Sequence, residues 1–420
     1  MNLTKKLTAV AAIIAALASI QTSAQSPMSP YSRYGYGVLR DNATSAQRAM
    51  GGVGYAMNSG RQINAMNPAS YAMCDSLTFL FDMGFSYTKL WSQEPTTDGT
   101  LRESTNGGGI DYITTQFAVS HNIGMSIGLV PVSSVGYSFG SKIENGASGR
   151  TGSGGLNQLY VGIGYNPFKG FAVGANIGYM FGTITNDTYV YPNSGQTSLF
   201  QTVVEVRDYN LQFGAQYTFY AGRKNRFTAG VSFTPGKDLL GHAWGVNYDV
   251  DSDEKPDTVG YTTLRGKYSM PATWGIGFNY TWNERLMAEF DITYAQWSKA
   301  KFSRIDVEGS TRQNFNNRLK YAFGLQYTPR PRGRFLQRVN YRGGAFYEKS
   351  YMNVLHNDVK EYGVSAGFGL PAPSSKTVVN LGVEWRRRQA SPARLIREDY
   401  FAITLGINFN ERWFYQSKIY

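Results

Sequence analysis

The stretch Asp208 to Phe219, DYNLQFGAQYTF, alternates without a break. Tyr209, Leu211, Phe213, Ala215, Tyr217 and Phe219 fall on one side, and Asp208, Asn210, Gln212, Gly214, Gln216 and Thr218 on the other. A period of two marks a β-strand with one apolar and one polar face. The pattern returns at the far end of the chain, where Phe401, Ile403, Leu405, Ile407 and Phe409 oppose Ala402, Thr404, Gly406 and Asn408. In Leu286 to Tyr294 the polar side carries Glu289 and Asp291. Two carboxylates on one face cannot lie in hydrocarbon, so that face must line a lumen.

Extended outward from these segments, the alternation predicts strands near residues 77–88, 110–120, 123–141, 156–166, 171–190, 201–220, 225–249, 260–282, 285–298, 314–328, 337–348, 360–370, 376–386 and 399–409. The fold class is therefore all-β: a 14-stranded antiparallel transmembrane β-barrel over 77–409. The connections test this independently, because bacterial barrels have short periplasmic turns and longer external loops. Connections from even to odd strands, such as His121-Asn122, Ala221 to Lys224 and Asn283-Glu284, are short, with Pro329 to Leu336 the longest. Those from odd to even strands, such as Lys89 to Gly109, Lys142 to Gly155, Lys299 to Gln313 and Arg387 to Glu398, are mostly ten residues or more. The remaining segments are 1–24, 25–76 and a tail, 410–420.

Lys5 and Lys6, the apolar run Leu7 to Ile20 and the small residues Thr22-Ser23-Ala24 read as a secretory signal peptide over 1–24. No later stretch has the 18 apolar residues of a spanning helix. Cys74 is the single cysteine, so there is no internal disulfide, and it lies too far from the cleavage site to carry a lipid anchor. The 24 Phe, 30 Tyr and 7 Trp, with 47 Gly, suit a barrel with aromatic girdles in a Gram-negative outer membrane. The 41 Lys and Arg exceed the 29 Asp and Glu; two lysines leave with the signal, so the mature charge is about +10, two below the full-length +12. These charges sit between strands, where they would meet membrane lipid, lipopolysaccharide phosphates or a periplasmic partner rather than nucleic acid. Arg386-Arg387-Arg388 are expected in the last external loop, facing lipid phosphates. Arg330, Arg332 and Arg334, in the longest periplasmic turn, suit a protein partner.

Arg48 to Ala69, RAMGGVGYAMNSGRQINAMNPA, leads into the first strand. With its glycines Gly51, Gly52 and Gly54 and its turn Asn67-Pro68-Ala69, it resembles the amino-terminal hatch of the FadL/TodX family of outer-membrane barrels. A second match lies far away, at Pro271 and Asp291-x-x-Tyr294-x-x-Trp297-Ser298. The resemblance implies that residues 25–76 form a lumenal hatch. It further implies a lateral opening in the third strand at Gly124, Gly128 and Pro131, since proline interrupts a ladder. The function implied is passive uptake of a hydrophobic small molecule, a fatty acid or an aromatic hydrocarbon. Against this stands the polar inner face, with Asn176, Gln212, Gln216, Asn279, Glu289, Asp291, Lys320 and Glu384, where a conduit needs an apolar pocket. The alternative, shared with PorV-type relatives, is a non-transporting barrel serving as subunit or shuttle of an outer-membrane protein export or assembly complex. Trp413, Phe414, Tyr415 and Lys418 of the tail could then contact an outer-membrane or periplasmic protein partner.

Catalysis is not expected. His121, His242 and His356 are scattered without a nucleophile beside them, and with one cysteine they give no zinc spacing. The pairs Gly162/Gly164 and Gly275/Gly277 lie in strands not followed by helices, so they cradle no phosphate. No catalytic residue, cofactor or metal is assigned.

Overall fold

The computed structural model describes residues 28–412, apart from 97–98, 144, 251–255, 264–267, 307–308, 373–375 and 394. The segment 1–24, expected from sequence to be a signal peptide, and the aromatic end of the tail lie outside the described residues. Fourteen strands form the wall: β1 Thr78–Thr96, β2 Gly99–Ser120, β3 Ile123–Ile143, β4 Gly146–Phe168, β5 Phe171–Pro192, β6 Thr197–Ala221 and β7 Asn225–Thr234, then β8 Thr273–Trp282, β9 Leu286–Ala295, β10 Arg318–Tyr327, β11 Asn340–Val354, β12 Asn357–Pro371, β13 Val378–Ser391 and β14 Arg397–Arg412. Each pairs antiparallel with the next, and β1 pairs with β14 from Thr78↔Arg412 to Gln93↔Arg397, which closes the ring. Closure is what lets strands cross a bilayer, since every backbone group must find its partner within the wall.

The alternation sorts as the sequence predicts. Tyr209, Phe213 and Tyr217 face outward, each about half exposed, while Gln212 and Gln216 are buried. Stacked pairs such as Phe168–Phe171 and Phe219–Phe227 sit beside the short turns, where an aromatic girdle meets the membrane surface.

Three features differ from the sequence reading. Lys89 to Gly109 and Lys142 to Gly155 are not loops: β1 and β2 stay paired up to Thr96↔Gly99, and β3 and β4 up to Ile143↔Gly146. Near the tip of the first hairpin, over Glu94–Thr96 and Gly99–Ser104, the residues are exposed on both faces, so alternation vanishes although the ladder continues. The runs 225–249 and 260–282 are each broken at a proline: β7 stops before Pro235, and β8 begins after Pro271. Between them Gly241–Val250 continues along the upper part of β6. The eleventh strand begins at Asn340 rather than 337, after a short helix, Phe335–Arg338, and the last strand runs on through the first residues of the tail to Arg412.

This arrangement sets the sidedness. In a Cys74→Ser background, cysteines at Asn106, high on β2, and at Ser391, the top of β13, should react with an impermeant maleimide on intact cells. One at Lys169, in the turn between β4 and β5, should react only after lysis. Labelling of Lys169 from outside would invert the barrel.

Candidate functional site: the filled lumen and the split wall

Residues 28–77 contact the inner face of the wall from several sides. Their local fold follows from a few polar side chains. The Thr44 N–H donates to Gln47 Oε1 at the start of the helix Ser45–Arg48, and Gln47 Nε2 donates to Asn64 Oδ1 (2.9 Å). Asn64 in turn donates to the Gly54 and Met57 carbonyls, tying the chain into a compact knot. Gly51 and Gly52 turn the chain after the helix with φ of 73° and 80°, a region that favours glycine. A Cβ on Gly51 would meet the Ala345 and Phe323 carbonyls of the wall at 2.8 and 2.9 Å.

The wall is cut to fit this segment. Gly124, Gly164, Gly174 and Gly214 are directly opposite one another across β3, β4, β5 and β6. Together they form a trough without side chains, and the stretch Asn67–Ala72 lies in it. A Cβ at Gly124 would strike the Tyr71 carbonyl, one at Gly174 the Pro68 carbonyl, and one at Gly214 the Asn67 amide. Asn67 fixes the seat: its Oδ1 accepts from the Ala69 N–H, and its Nδ2 donates to the carbonyls of Tyr55, Ala215 and Val231. On the opposite wall Gly324 and Gly344, also cross-strand neighbours, face Met50.

Charges complete the contact. Asp291 accepts from the Gly54 and Tyr55 N–H groups (2.6 and 3.0 Å), and Glu289 from Ala56 N–H (2.9 Å). Asp41 bridges Arg318 (2.9 Å) and Lys320 (2.5 Å), whose side chains are nearly buried. Burial alone would push the Asp41 carboxyl up, but the two cations beside it outweigh that and hold it well below the ordinary carboxylate range. Above this layer Tyr36 packs edge-on to Phe302 and against Trp297, which stacks on Tyr351 at 4.3 Å. Two of the spaces left carry many charged and amide groups in their linings. One of about 140 Å³ is lined by Arg40, Asp41, Arg318, Glu361, Arg386 and Arg388 among others, and a second, of about 160 Å³, by Gln158, Asn210, Gln212 and Thr293 among others.

The wall itself is split. Strands β2 and β3 pair only from Ser120↔Ile123 to Ile113↔Leu129, and above that rung each keeps its other neighbour alone in the wall. Two bulges face each other at this point, at Asp111 in β2 and at Val132, just past Pro131, in β3. A bulge bends its strand, so the pair turns the two strands apart. Arg40 holds both: its N–H donates to the Val132 carbonyl (2.9 Å), and its guanidinium pairs with Asp111 (2.8 Å), which Arg48 also holds. The neighbouring residues Val38–Leu39 form a two-residue strand on the freed edge of β3, opposite Ser134 and Ser133. The gap opens into a cavity of about 560 Å³ between Gly107–Asp111 and Pro131–Tyr137.

The residues singled out from sequence are thus brought together unevenly. Gly51, Gly52, Gly54, Asn67, Pro68 and Ala69 all lie within the lumen against the wall. Gly124 lies under Tyr71, and Gly128, opposite Thr114 and Tyr160, sits in the intact ladder; Pro131 alone of the three is at the split. Arg386-Arg387-Arg388 are on β13 rather than in a loop. Arg388 is buried against Glu361 and Glu398, and Arg386 pairs with Glu361, so two of the three serve the lumen, while Arg387 pairs with Asp399. Arg40 and Asp41 carry no sequence signal, being charges in a segment without periodicity, and Asp111 carries none because one carboxylate near the start of the predicted strand 110–120 does not mark what it pairs with. The paired glycines Gly162/Gly164 and Gly275/Gly277 were a signal: they face Tyr71 and Tyr55, and two glycines on one face leave room for another chain. His121, His242 and His356 are exposed.

A closed fourteen-stranded ring with an apolar exterior and a lumen filled by its own amino-terminal segment defines an outer-membrane β-barrel of the FadL type. The Pseudomonas putida toluene transporter TodX superposes with a TM-score of 0.65 at 14% identity, over 89% of this chain and 99% of that one. The Ralstonia pickettii toluene transporter TbuX gives 0.60 at 14%, over 88% and 98%, and a Pseudomonas aeruginosa FadL homologue 0.59 at 11%, over 89% and 98%. At these identities the likeness is one of fold. The BamG family model matches residues 3–420, and the chain belongs to the BamG family. No curated protein matches it in sequence.

Proposed function

We propose that this barrel is a non-transporting subunit of an outer-membrane protein assembly complex, with the segment 25–76 as a permanent plug. The observation that carries this reading is the seating of that segment. It lies in a glycine trough shaped to its backbone and is fastened by buried carboxylates and ion pairs. A gate would have to break these together, and removing one partner of a buried pair costs about 3–5 kcal/mol. The spaces of about 140 and 160 Å³, with their charged and amide groups, do not suit a hydrophobic passenger, which needs an apolar lining with few polar groups. Membership of the BamG family agrees with this alternative. The exposed turn with Arg330, Arg332 and Arg334 and the outer surface of β2 are the faces a protein partner would meet.

One observation favours the second reading, a passive conduit for a fatty acid or aromatic hydrocarbon: the split between β2 and β3 would serve as the exit to the membrane. One experiment separates the two. Affinity-tagged protein extracted in mild detergent should elute with at least one other outer-membrane protein in fixed stoichiometry, and mass spectrometry should find no retained hydrophobic compound. A monomer that carries such a compound, and takes it up into liposomes, would replace the subunit by the conduit.

A further inference from the structure

The split leaves two strand edges that differ in one respect. The edge of β3 is already covered: Ser133 and Ser134 face the two-residue strand Val38–Leu39, Val132 O accepts from Arg40 N–H, and Gly136 O accepts from Ser29 N–H (2.7 Å). The edge of β2 facing the gap has no ladder partner among the described residues from Gly99 to Tyr112. At its lower end the gap is flanked by outward-facing Ile110, Ile127, Leu129 and Leu159, each about 40% exposed or more, so it begins at the level of the lipid belt. Unpaired backbone groups at that depth are strongly disfavoured, since hydrocarbon offers them no partner.

We propose that this edge of β2 receives an extended polypeptide strand from another outer-membrane protein by β-augmentation. The choice of occupant follows from hydrogen bonding. An apolar molecule or a lipid tail would leave the gap-facing N–H and C=O groups of Gly107–Asp111 unmet, whereas a strand meets them in register. Gly107-Gly108-Gly109 offers this edge without a side chain, as a closely approached strand requires. The adjoining cavity of about 560 Å³ provides the space. The protein already uses the same mode across the gap, where its own Val38–Leu39 augments β3. Arg40, fixed to both bulges, keeps the two edges apart so that β2 cannot rejoin β3. The inference deepens the subunit reading and rests on it only for where the strand comes from.

The test uses the purified full-length mature barrel in detergent and a defined probe. The probe is a synthetic peptide with the alternating sequence of residues 399–409, DYFAITLGINF, beside the same peptide N-methylated throughout. Hydrogen exchange is followed by mass spectrometry. With the first peptide at millimolar concentration the gap-facing amides of Gly107–Asp111 should exchange at about a tenth of their rate or below, while those bonded to β1 and those of Thr114–Phe117, already in the ladder, should not change. The N-methylated peptide should have no effect. Absence of slowing, equal slowing by both peptides, or slowing by toluene alone would overturn the strand proposal. A failed peptide experiment with a protein complex still recovered from the membrane would leave the subunit reading standing; a positive one with a monomeric extract would do the reverse.

Discussion

The double variant Gly174→Val/Gly214→Val should open the lumen while leaving the wall folded. The two glycines are direct cross-strand neighbours on β5 and β6, and valine is a better strand former than glycine, so the ladder itself gains. The plug does not. A Cβ at Gly174 would strike the Pro68 carbonyl and its peptide bond to Ala69, and one at Gly214 the Asn67 amide, with Pro68 Cδ at 2.8 Å. Overpacking costs about 1–3 kcal/mol at each site. Displacing Asn67 also gives up its bonds to the Tyr55, Ala215 and Val231 carbonyls, at about 1 kcal/mol each. The expected result is a barrel that still shifts on a gel with heating, conducts in planar bilayers, and exposes Arg48, largely covered in the parent, to trypsin. A variant as silent and as protected as the parent would show that the trough does not hold the segment.

Asp41→Ala should have the second-largest effect, and of a different kind. It removes no volume from the trough but leaves Arg318 with Glu348 alone and Lys320 without its carboxylate, both side chains being about nine-tenths buried. Stranding buried charge costs about 3–5 kcal/mol, so the variant should unfold at lower temperature and exchange its amides faster over residues 40–57. Asp41→Asn should recover part of the loss by keeping a hydrogen-bond acceptor. The pH dependence fixes the cause. In the folded protein the Asp41 carboxyl lies below its ordinary value of 3.8, burial being outweighed by Arg318 and Lys320. A group with a depressed folded pKa stabilises fully above its unfolded value, and that contribution falls away as pH drops below it. The stability gap between the parent and Asp41→Asn should therefore be constant from about pH 8 to pH 5 and shrink only below about pH 4. A gap that closed near neutrality would assign the effect to another group.

What the sequence determined is the wall. Lipid outside and polar groups inside impose a period of two on every crossing, so the number of strands and the face each turns to the lumen are written locally, as in Tyr209 to Phe219, without reference to any other part of the chain. The resemblance to the FadL/TodX family likewise placed Asn67-Pro68-Ala69 and Asp291 among residues that matter. It did not bring them together: Asp291 meets Gly54 and Tyr55 across more than two hundred residues. The tertiary structure alone decided the trough, since Gly124, Gly164, Gly174 and Gly214 lie in four separate strands and share no role until register lines them up. It also decided the split. Two bulges at Asp111 and Val132 part the strands only because they fall on facing positions and because Arg40, from a segment with no periodicity, reaches both. Periodicity records the solvent on each side of one strand; which strand faces which, and what fills the space between them, depends on contacts between distant residues that no local pattern encodes.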